Sequence, residues 1–239
     1  MDATFLGQQL EYLVLDTQLL PGDPSTRLHN QAFAFWSGFW NDVYKAVGTA
    51  DRTNADQFRR HNAFSLIVHQ GVPIAMHAYT FFNLELDADR SHSFFTNSFT
   101  PKAMKAMDQA GMKHVMTMEY FSVAKEWQKR SRDVAMGIVL LSLSQKFFLE
   151  TTADTWIGVP RADIGVAKLC YSMGAVPLDQ GLTLHGAKSD IIGVPRNQAK
   201  WVGSDADKAL VQSLWEKRDI RCPLPGVTPV ASRRILELA

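Results

Sequence analysis

Residues 114–150 read HVMTMEYFSVAKEWQKRSRDVAMGIVLLSLSQKFFLE, and this stretch decides the fold. Residues 114–124 are rich in β-branched and aromatic side chains and carry few charges, which is typical of a strand buried on both faces. The polar segment KEWQKRSRD follows, and residues 134–150 have the length and leucine content of a largely buried helix. The sequence therefore predicts a strand that runs through a basic loop straight into a buried helix.

The start of that helix is a candidate anion site, because the first turn of a helix has free backbone N–H groups and the positive end of the helix dipole. The small residues Ala135 and Gly137 would let a phosphate approach the backbone. Lys125, Lys129 and Arg130 add positive charge nearby. The alternative is that the basic loop is simply solvated surface. The residues assigned to this turn are Arg132, Asp133, Val134, Ala135, Met136, Gly137 and Ile138.

Turn, cap and periodicity signals predict the remaining elements on both sides of this stretch. Before it they favour a helix, a hairpin and a Thr100-capped helix that begins with proline, over residues 27–47, 63–86 and 101–110. After it they favour a strand, a helix ended by Gly174, a hairpin and a helix with a Ser204–Asp207 capping box, over residues 155–159, 163–173, 181–194 and 204–218. We divide the chain into an N-terminal extension (1–24), a central domain (25–200) and a C-terminal helix with an extended tail (201–239).

Aromatic side chains recur along the first long helix, largely at three- and four-residue spacings, and again around residues 81–95. Apolar stripes at helical spacing usually face the core, so we interpret these residues as core packing. The alternative is that they enclose a long apolar ligand. The residues are Phe33, Phe35, Trp36, Phe39, Trp40, Tyr44, Phe81, Phe82, Phe94 and Phe95.

Composition narrows the class of protein. The 239 residues are 46% hydrophobic and 21% charged, with 25 basic and 24 acidic side chains, a profile typical of soluble globular proteins. The near-neutral balance gives no electrostatic reason to expect nucleic acid or an anionic membrane as the main partner. The longest apolar stretch, residues 134–143, is far shorter than the ~20 residues of a membrane span. The first residues lack a basic segment, which argues against a secretory signal.

Cysteine and histidine usage argues against a disulfide framework and against a metal site. The two cysteines, Cys170 and Cys222, favour a reducing compartment, and we expect a cytoplasmic protein. His69 and His77 flank the first hairpin turn, but no third ligand has a suitable spacing. We interpret them as ordinary strand histidines and expect no metal.

Two short motifs resemble a known family. The segment RDVAMG, followed by Leu140 and Leu141, resembles the Q/R-x-x-G-x-G/A diphosphate-binding motif of the Gcn5-related N-acetyltransferase superfamily, with Ala135 in place of the first glycine. The segment LCYSMGA resembles the LY…GF signature of the same family, with Ala175 in place of the aromatic residue. The predicted order of elements over residues 27–194 agrees with this family as well.

The resemblance implies an α/β fold of the α+β type. We expect a mixed, mostly antiparallel, twisted sheet with helices on both faces, splayed between its fourth and fifth strands. It also implies an acyl donor, acetyl-CoA or a longer acyl-CoA, with an acyl carrier protein as an open alternative. The diphosphate would lie on the amides of residues 132–138, beside Lys129 and Arg130. The pantetheine arm would pair with the fourth strand at Phe121, Ser122, Val123 and Ala124.

The implied reaction is attack of a primary amine on a thioester within a ternary complex. Such a reaction needs an oxyanion donor, which the family takes from the fourth strand, here an N–H of Val123 or Ala124. Glu119, a lone acid in an apolar strand, is the candidate base; the alternative is that it faces solvent or an arginine. The family's tyrosine acid stands four residues before the glycine, a position that Cys170 occupies here. Tyr171, one residue later, is therefore the candidate acid, and Cys170 is the alternative.

Other functions stay open at this point. The three departures from the family motifs favour, as an alternative, a catalytically degenerate binding or regulatory protein. A further alternative is a long-chain N-acyl amino acid synthase or acyl-homoserine-lactone-type synthase, although the arginine usual near the end of the fourth strand is missing. The expected partner is a small-molecule amine or amino acid, with no nucleic acid. A homodimer stays open.

Overall fold

The strands of the sheet are defined in a computed structural model that describes residues 3–49, 53–128 and 133–222. Within these residues eight strands belong to one sheet. They are β1 (Leu10–Asp16), β2 (Ala63–His69), β3 (Val72–Asn83), β4 (His114–Val123), β5 (Thr155–Gly158), β6 (Val176–Leu184), β7 (Ala187–Pro195) and β8 (Asp219–Arg221).

The sheet has the order β6-β7-β5-β4-β3-β2-β1-β8. The β1–β2, β2–β3, β3–β4, β5–β7 and β6–β7 pairs are antiparallel, whereas β1–β8 and β4–β5 are parallel. The predicted mixed, mostly antiparallel sheet is therefore confirmed. The segment set apart as an N-terminal extension supplies β1, which pairs with β2 over seven residues and was not predicted. The C-terminal segment supplies β8.

The parallel pair β4–β5 opens after a short contact. Three residue pairs join the strands, from Val115↔Thr155 to Thr117↔Ile157, and β4 then continues to Val123 while β5 ends at Gly158. A Cβ at Gly158 would lie 3.1 Å from the Met118 carbonyl oxygen, so glycine permits the last close approach of the two backbones. The predicted splay between the fourth and fifth strands is confirmed.

Helices cover both faces of this sheet. Side chains alternate between the faces along a strand. On β1, Tyr12 and Val14 pack in the core beneath the helix Met136–Glu150 (α8). Leu13 and Leu15 pack in the core beneath the helix Thr26–Ala46 (α2). The helices are α1 (Ala3–Gln9), α2 (Thr26–Ala46), α3 (Ala55–Arg59), α4 (Asp87–Arg90), α5 (Ser93–Ser98), α6 (Pro101–Gln109), α7 (Lys125–Gln128), α8 (Met136–Glu150), α9 (Val166–Ser172) and α10 (Asp205–Glu216). None of the described helices combines the length and apolarity needed to cross a membrane.

Local signals placed most helix ends correctly. Thr100 caps α6 by accepting from the Ala103 amide, and Ser204 and Asp207 form the expected capping box at the start of α10. Helix α8 begins at Met136, two residues after the predicted start, and α9 begins at Val166 rather than at residue 163. The tail after residue 222 lies outside the described residues.

Candidate functional site

A cavity of about 540 Å³ occupies the splay between β4 and β5. Trp40 and Tyr44 of α2 line it, and so do Gly137 and Leu141 of α8. Because these two helices cover opposite faces of the sheet, the cavity passes through the sheet from one face to the other. Its volume lies in the range of ordinary ligand sites, about 300–1,000 Å³.

The aromatic residues of α2 lie in different environments, and Phe33, which was interpreted as core packing, is exposed. Trp36 is fully buried, as the core interpretation predicted. Phe39, Trp40 and Tyr44 line the cavity instead, so for them the ligand alternative describes their position. Helical spacing identified the apolar face but not which part of it meets an opening in the sheet.

A β-bulge shapes β4 at the edge of the cavity. Met76 pairs with Ser122 and Ala78 with Glu119, so Tyr120 and Phe121 together stand opposite His77 alone. Tyr120 has φ 57°, a left-handed conformation that costs a residue with a side chain about 1–2 kcal/mol. Its ring packs at 5.1–5.4 Å from neighbouring aromatic rings, which hold this conformation; they are Trp36, Trp40 and His61.

Strand alternation places Glu119 on the α2 face of the sheet, where it meets an arginine. Glu119 is 11% exposed, lines the cavity and forms an ion pair with Arg60. Thr117 Oγ1 donates to Glu119 Oε1 at 3.1 Å, and His61 Nδ1 lies 3.6 Å from the same oxygen. Burial raises the pKa of Glu119, while Arg60 and Thr117 oppose that shift. The expected partner for a buried acid is thus present, and the role of Glu119 as a base stays a prediction.

Backbone directions on β4 separate the two candidate oxyanion donors. The Ala124 amide donates to the Ile74 carbonyl at 2.8 Å, so the prediction that it serves as a free donor is wrong. Successive amides of a strand point to opposite sides, and the Val123 amide therefore points away from β3, toward the splay. Ser122 is fully buried and does not line the cavity; its hydroxyl accepts from Trp40 Nε1 at 2.8 Å.

The two candidate acids occupy different environments. Cys170 is buried and lines the cavity, and burial raises its pKa to about 12. The Tyr171 hydroxyl donates to Asp190 at 2.8 Å and accepts from Gln180 at 2.9 Å, away from the cavity wall. The structure therefore places Cys170, and not Tyr171, among the residues that line the cavity, because the helix turns the tyrosine toward β7; the role of either residue as the acid stays a prediction.

The start of α8 offers fewer free amides than expected. The Ala135 amide donates to Asp207 Oδ1 at 2.7 Å, and the Ile138 amide donates to the Ala135 carbonyl at 2.9 Å. The prediction that these two amides hold a diphosphate is wrong, since a carboxylate from α10 and the helix itself already satisfy them. Gly137 lines the cavity, whereas the side chains of Val134 and Met136 are buried and Asp133 is exposed. The predicted basic residues Lys129, Arg130 and Arg132 lie outside the described residues.

A buried hydrogen-bond network fixes a histidine in the cavity wall. Ser144 Oγ donates to the Leu140 carbonyl at 2.9 Å and accepts from the Tyr79 hydroxyl at 2.8 Å. Its contact of 2.9 Å with His77 Nδ1 must then be one that the imidazole donates. The His77 Nδ1 therefore carries a proton, and burial lowers the pKa of the ring to about 3, so His77 is neutral at neutral pH. The described residues contain no group of three or more side chains suited to hold a metal ion.

Sequence reasoning missed Arg60, and it missed the position of His77 in the cavity wall. Arg60 lies 59 positions from Glu119 in an ordinary charged segment, and no local pattern marks it. His77 was noted only as a strand histidine. The unusual polarity of a histidine inside the apolar run IAMHAYTFF was the available signal.

Comparisons with known proteins agree with this architecture. No family model matches the sequence, and a search of curated proteins finds no match. Three solved structures share the fold over most of their length. FeeM, an N-acyl amino acid synthase from uncultured soil microbes, has a TM-score of 0.52 at 10% identity. The match covers 80% of this chain and 93% of the FeeM chain. The acyl-homoserine lactone (AHL) synthase LasI has a TM-score of 0.55 at 12% identity, and the match covers 84% of this chain and 94% of the LasI chain.

The third structure is BjaI, a CoA-dependent acyl-homoserine lactone synthase with SAM and isopentyl-CoA. Its TM-score is 0.54 at 8% identity, and the match covers 91% of this chain and 96% of that one. At such low identities the likeness establishes the fold alone. The chain therefore has the fold of the Gcn5-related N-acetyltransferases, as the motifs predicted.

Proposed function

We propose that this chain, which has the Gcn5-related N-acetyltransferase fold, is an N-acyltransferase. It moves an acyl group from an acyl thioester to a primary amine by direct attack in a ternary complex. The observation that carries the proposal is the cavity through the sheet between β4 and β5. A thioester that enters beside α8 and an amine that enters beside α2 would meet at the bulge of β4. Alignment of two reactants in this way contributes up to about 7–11 kcal/mol.

Each chemical requirement of the reaction has a candidate group at this meeting point. The Val123 amide points into the splay and would donate to the oxyanion of the tetrahedral intermediate. Glu119, with its raised pKa, would accept a proton from the ammonium form of the acceptor. Cys170 lines the cavity, and burial raises its pKa to about 12, so it stays protonated and is a poor proton donor. The proton that ends on the leaving thiolate would therefore come from the attacking amine.

The donor is proposed to carry an acyl chain longer than acetyl. The cavity is large, and the aromatic side chains of α2 make its wall apolar. FeeM is an N-acyl amino acid synthase, and BjaI holds isopentyl-CoA, so longer acyl groups fit relatives of this fold. Acyl-CoA and acyl carrier protein are both retained as donors, since two of the expected diphosphate-binding amides are already paired.

Thiol release measured with acyl-CoAs of increasing length and with acyl carrier proteins, against a library of primary amines, tests the proposal. Mass spectrometry identifies the amide product. Glu119→Gln should reduce turnover by about 10²–10⁴-fold, as expected for loss of a general base. Glu150→Gln, at the exposed end of α8, is the matched control. Binding of a thioester without thiol release would instead support the degenerate binding protein. If the protein neither binds a thioester nor releases a thiol, the proposal is refuted.

A further inference from the structure

The Arg60–Glu119 ion pair is the only charged pair that lines the described part of the cavity. Arg60 is 25% exposed and Glu119 is 11% exposed, so both charges are largely withdrawn from water. Arg60 Nε is buried and has no hydrogen-bond partner among the described residues. An unpaired buried N–H is unfavourable, so the guanidinium is incompletely satisfied by Glu119 alone.

The surroundings of Arg60 leave it as a strong local cation. Burial and the charge of Arg60 itself lower the pKa of His61 and of His92, so both rings are neutral at neutral pH. Glu119 is thus the anion that balances Arg60 at the cavity. Any ligand that binds one of these two charges must also provide for the other, because an isolated buried charge is strongly unfavourable.

This condition selects among acceptor amines. A simple ammonium ion that pairs with Glu119 would leave Arg60 without its partner. A simple carboxylate would leave Glu119 unpaired in the same way. An α-amino acid carries both charges within one small head group, so it replaces the internal ion pair by two intermolecular ones. Its carboxylate matches the bidentate geometry that a guanidinium prefers.

We propose that the acceptor is an α-amino acid, whose carboxylate binds Arg60 and whose ammonium group binds Glu119, so that acceptor binding exchanges the internal ion pair and frees the base. The side chain of the amino acid would lie against Trp40, Tyr44 and Tyr120, which favours an apolar or aromatic residue. This inference rests on the proposed acyl transfer and specifies its acceptor.

The exchange is compatible with a balanced reaction. One proton of the ammonium group passes to Glu119, and the nitrogen lone pair forms a bond to the thioester carbonyl carbon. The carbon–sulfur bond then breaks, and a second proton from nitrogen ends on the leaving thiolate. The products are the N-acyl amino acid and the free thiol, with one proton left on Glu119 for release to solvent.

Matched acceptors test the inference with the unmodified protein. Tyrosine is compared with tyramine and with tyrosine methyl ester, and leucine with isoamylamine, using the same acyl donor. Loss of one partner of a buried charge pair costs about 2–5 kcal/mol, which corresponds to about 30-fold or more. We expect kcat/KM for each amino acid to exceed that of its decarboxylated amine and of its ester by at least about 30-fold.

Variants then assign the preference to Arg60. Arg60→Met should bring the ratio of kcat/KM for the amino acid to kcat/KM for the matching amine to about one. Arg60→Lys should restore part of the preference for the amino acid. Arg59→Met is the matched control, because Arg59 is exposed and bonds to Gln18 rather than to Glu119. A wild-type protein that acylates tyramine as well as tyrosine would overturn the inference and leave the proposed function intact. Absence of acylation of every amine would refute the proposed function itself.

Discussion

The dependence of stability on the protonation of His77 tests whether its imidazole is buried and neutral in the cavity wall. The imidazole is buried against α8, and burial lowers its pKa from 6.5 to about 3. In the unfolded chain the same group titrates near its ordinary value, about 6.5. Between these two pH values the unfolded state therefore binds more protons than the native state. The free energy of unfolding must fall as the pH falls from about 6.5 toward about 3.

The size of this effect at pH 5 follows from the two pKa values. Going from pH 8 to pH 5 protonates almost all unfolded chains at this position and almost no native ones. The resulting loss is RT ln(1 + 10^1.5), or about 2 kcal/mol of unfolding free energy. Because pH 5 lies well above the native pKa, this loss depends almost entirely on the unfolded value. Stepping further to pH 3 raises the loss to about 4–5 kcal/mol.

Urea unfolding at pH 8 and at pH 5, followed by circular dichroism, measures the loss. His77→Asn removes the titrating ring. Between the two pH values the unfolding free energy of this variant should therefore fall by about 2 kcal/mol less than that of the wild type. Equal losses in the His77→Asn variant and the wild type would refute a buried neutral imidazole at this position.

Four further outcomes follow from the described contacts. Gly174 has φ 99°, and a Cβ there would lie 1.9 Å from the Gln198 carbonyl oxygen, so Gly174→Ala should lower Tm by about 6–12 °C, or fail to fold. Gly111→Ala, at φ 67° in open space, should cost only about 1 kcal/mol in the same thermal scan. Asp207→Ala removes a carboxylate that accepts from the Ala135 amide at the start of α8 and from the Ser204 amide at the start of α10, and it should cost about 2–4 kcal/mol of unfolding free energy, measured in urea. Tyr171→Phe should change kcat by less than about 2-fold, because its hydroxyl points away from the cavity; a loss of 10²-fold or more would restore it as the acid.

Local signals were sufficient for most of the elements. The β-branched and aromatic run of β4, the apolar length of α8 and the caps at Thr100 and Ser204 depend on neighbours within a few residues, and the structure has each of them. The same signals failed for β1, because its seven residues follow a short helix and no turn residue marks its start. They also failed at the end of α9, where one residue of helical rotation separates Cys170 in the cavity wall from Tyr171 outside it.

The pattern of apolar and turn residues was therefore enough to specify most helices and strands, with α8 following β4, whereas the splayed, mostly antiparallel sheet was predicted from the resemblance of two short motifs to a known family. The chemistry of the site depended on contacts between distant parts of the chain. Arg60 reaches Glu119 across 59 positions, and Asp207 reaches the Ala135 amide across 72. Periodicity and capping describe interactions between near neighbours, whereas these contacts arise only when strand order, the bulge at Tyr120 and the packing of α10 bring the groups together. Burial then decides which charges need partners, and burial is a property of the assembled sheet and helices.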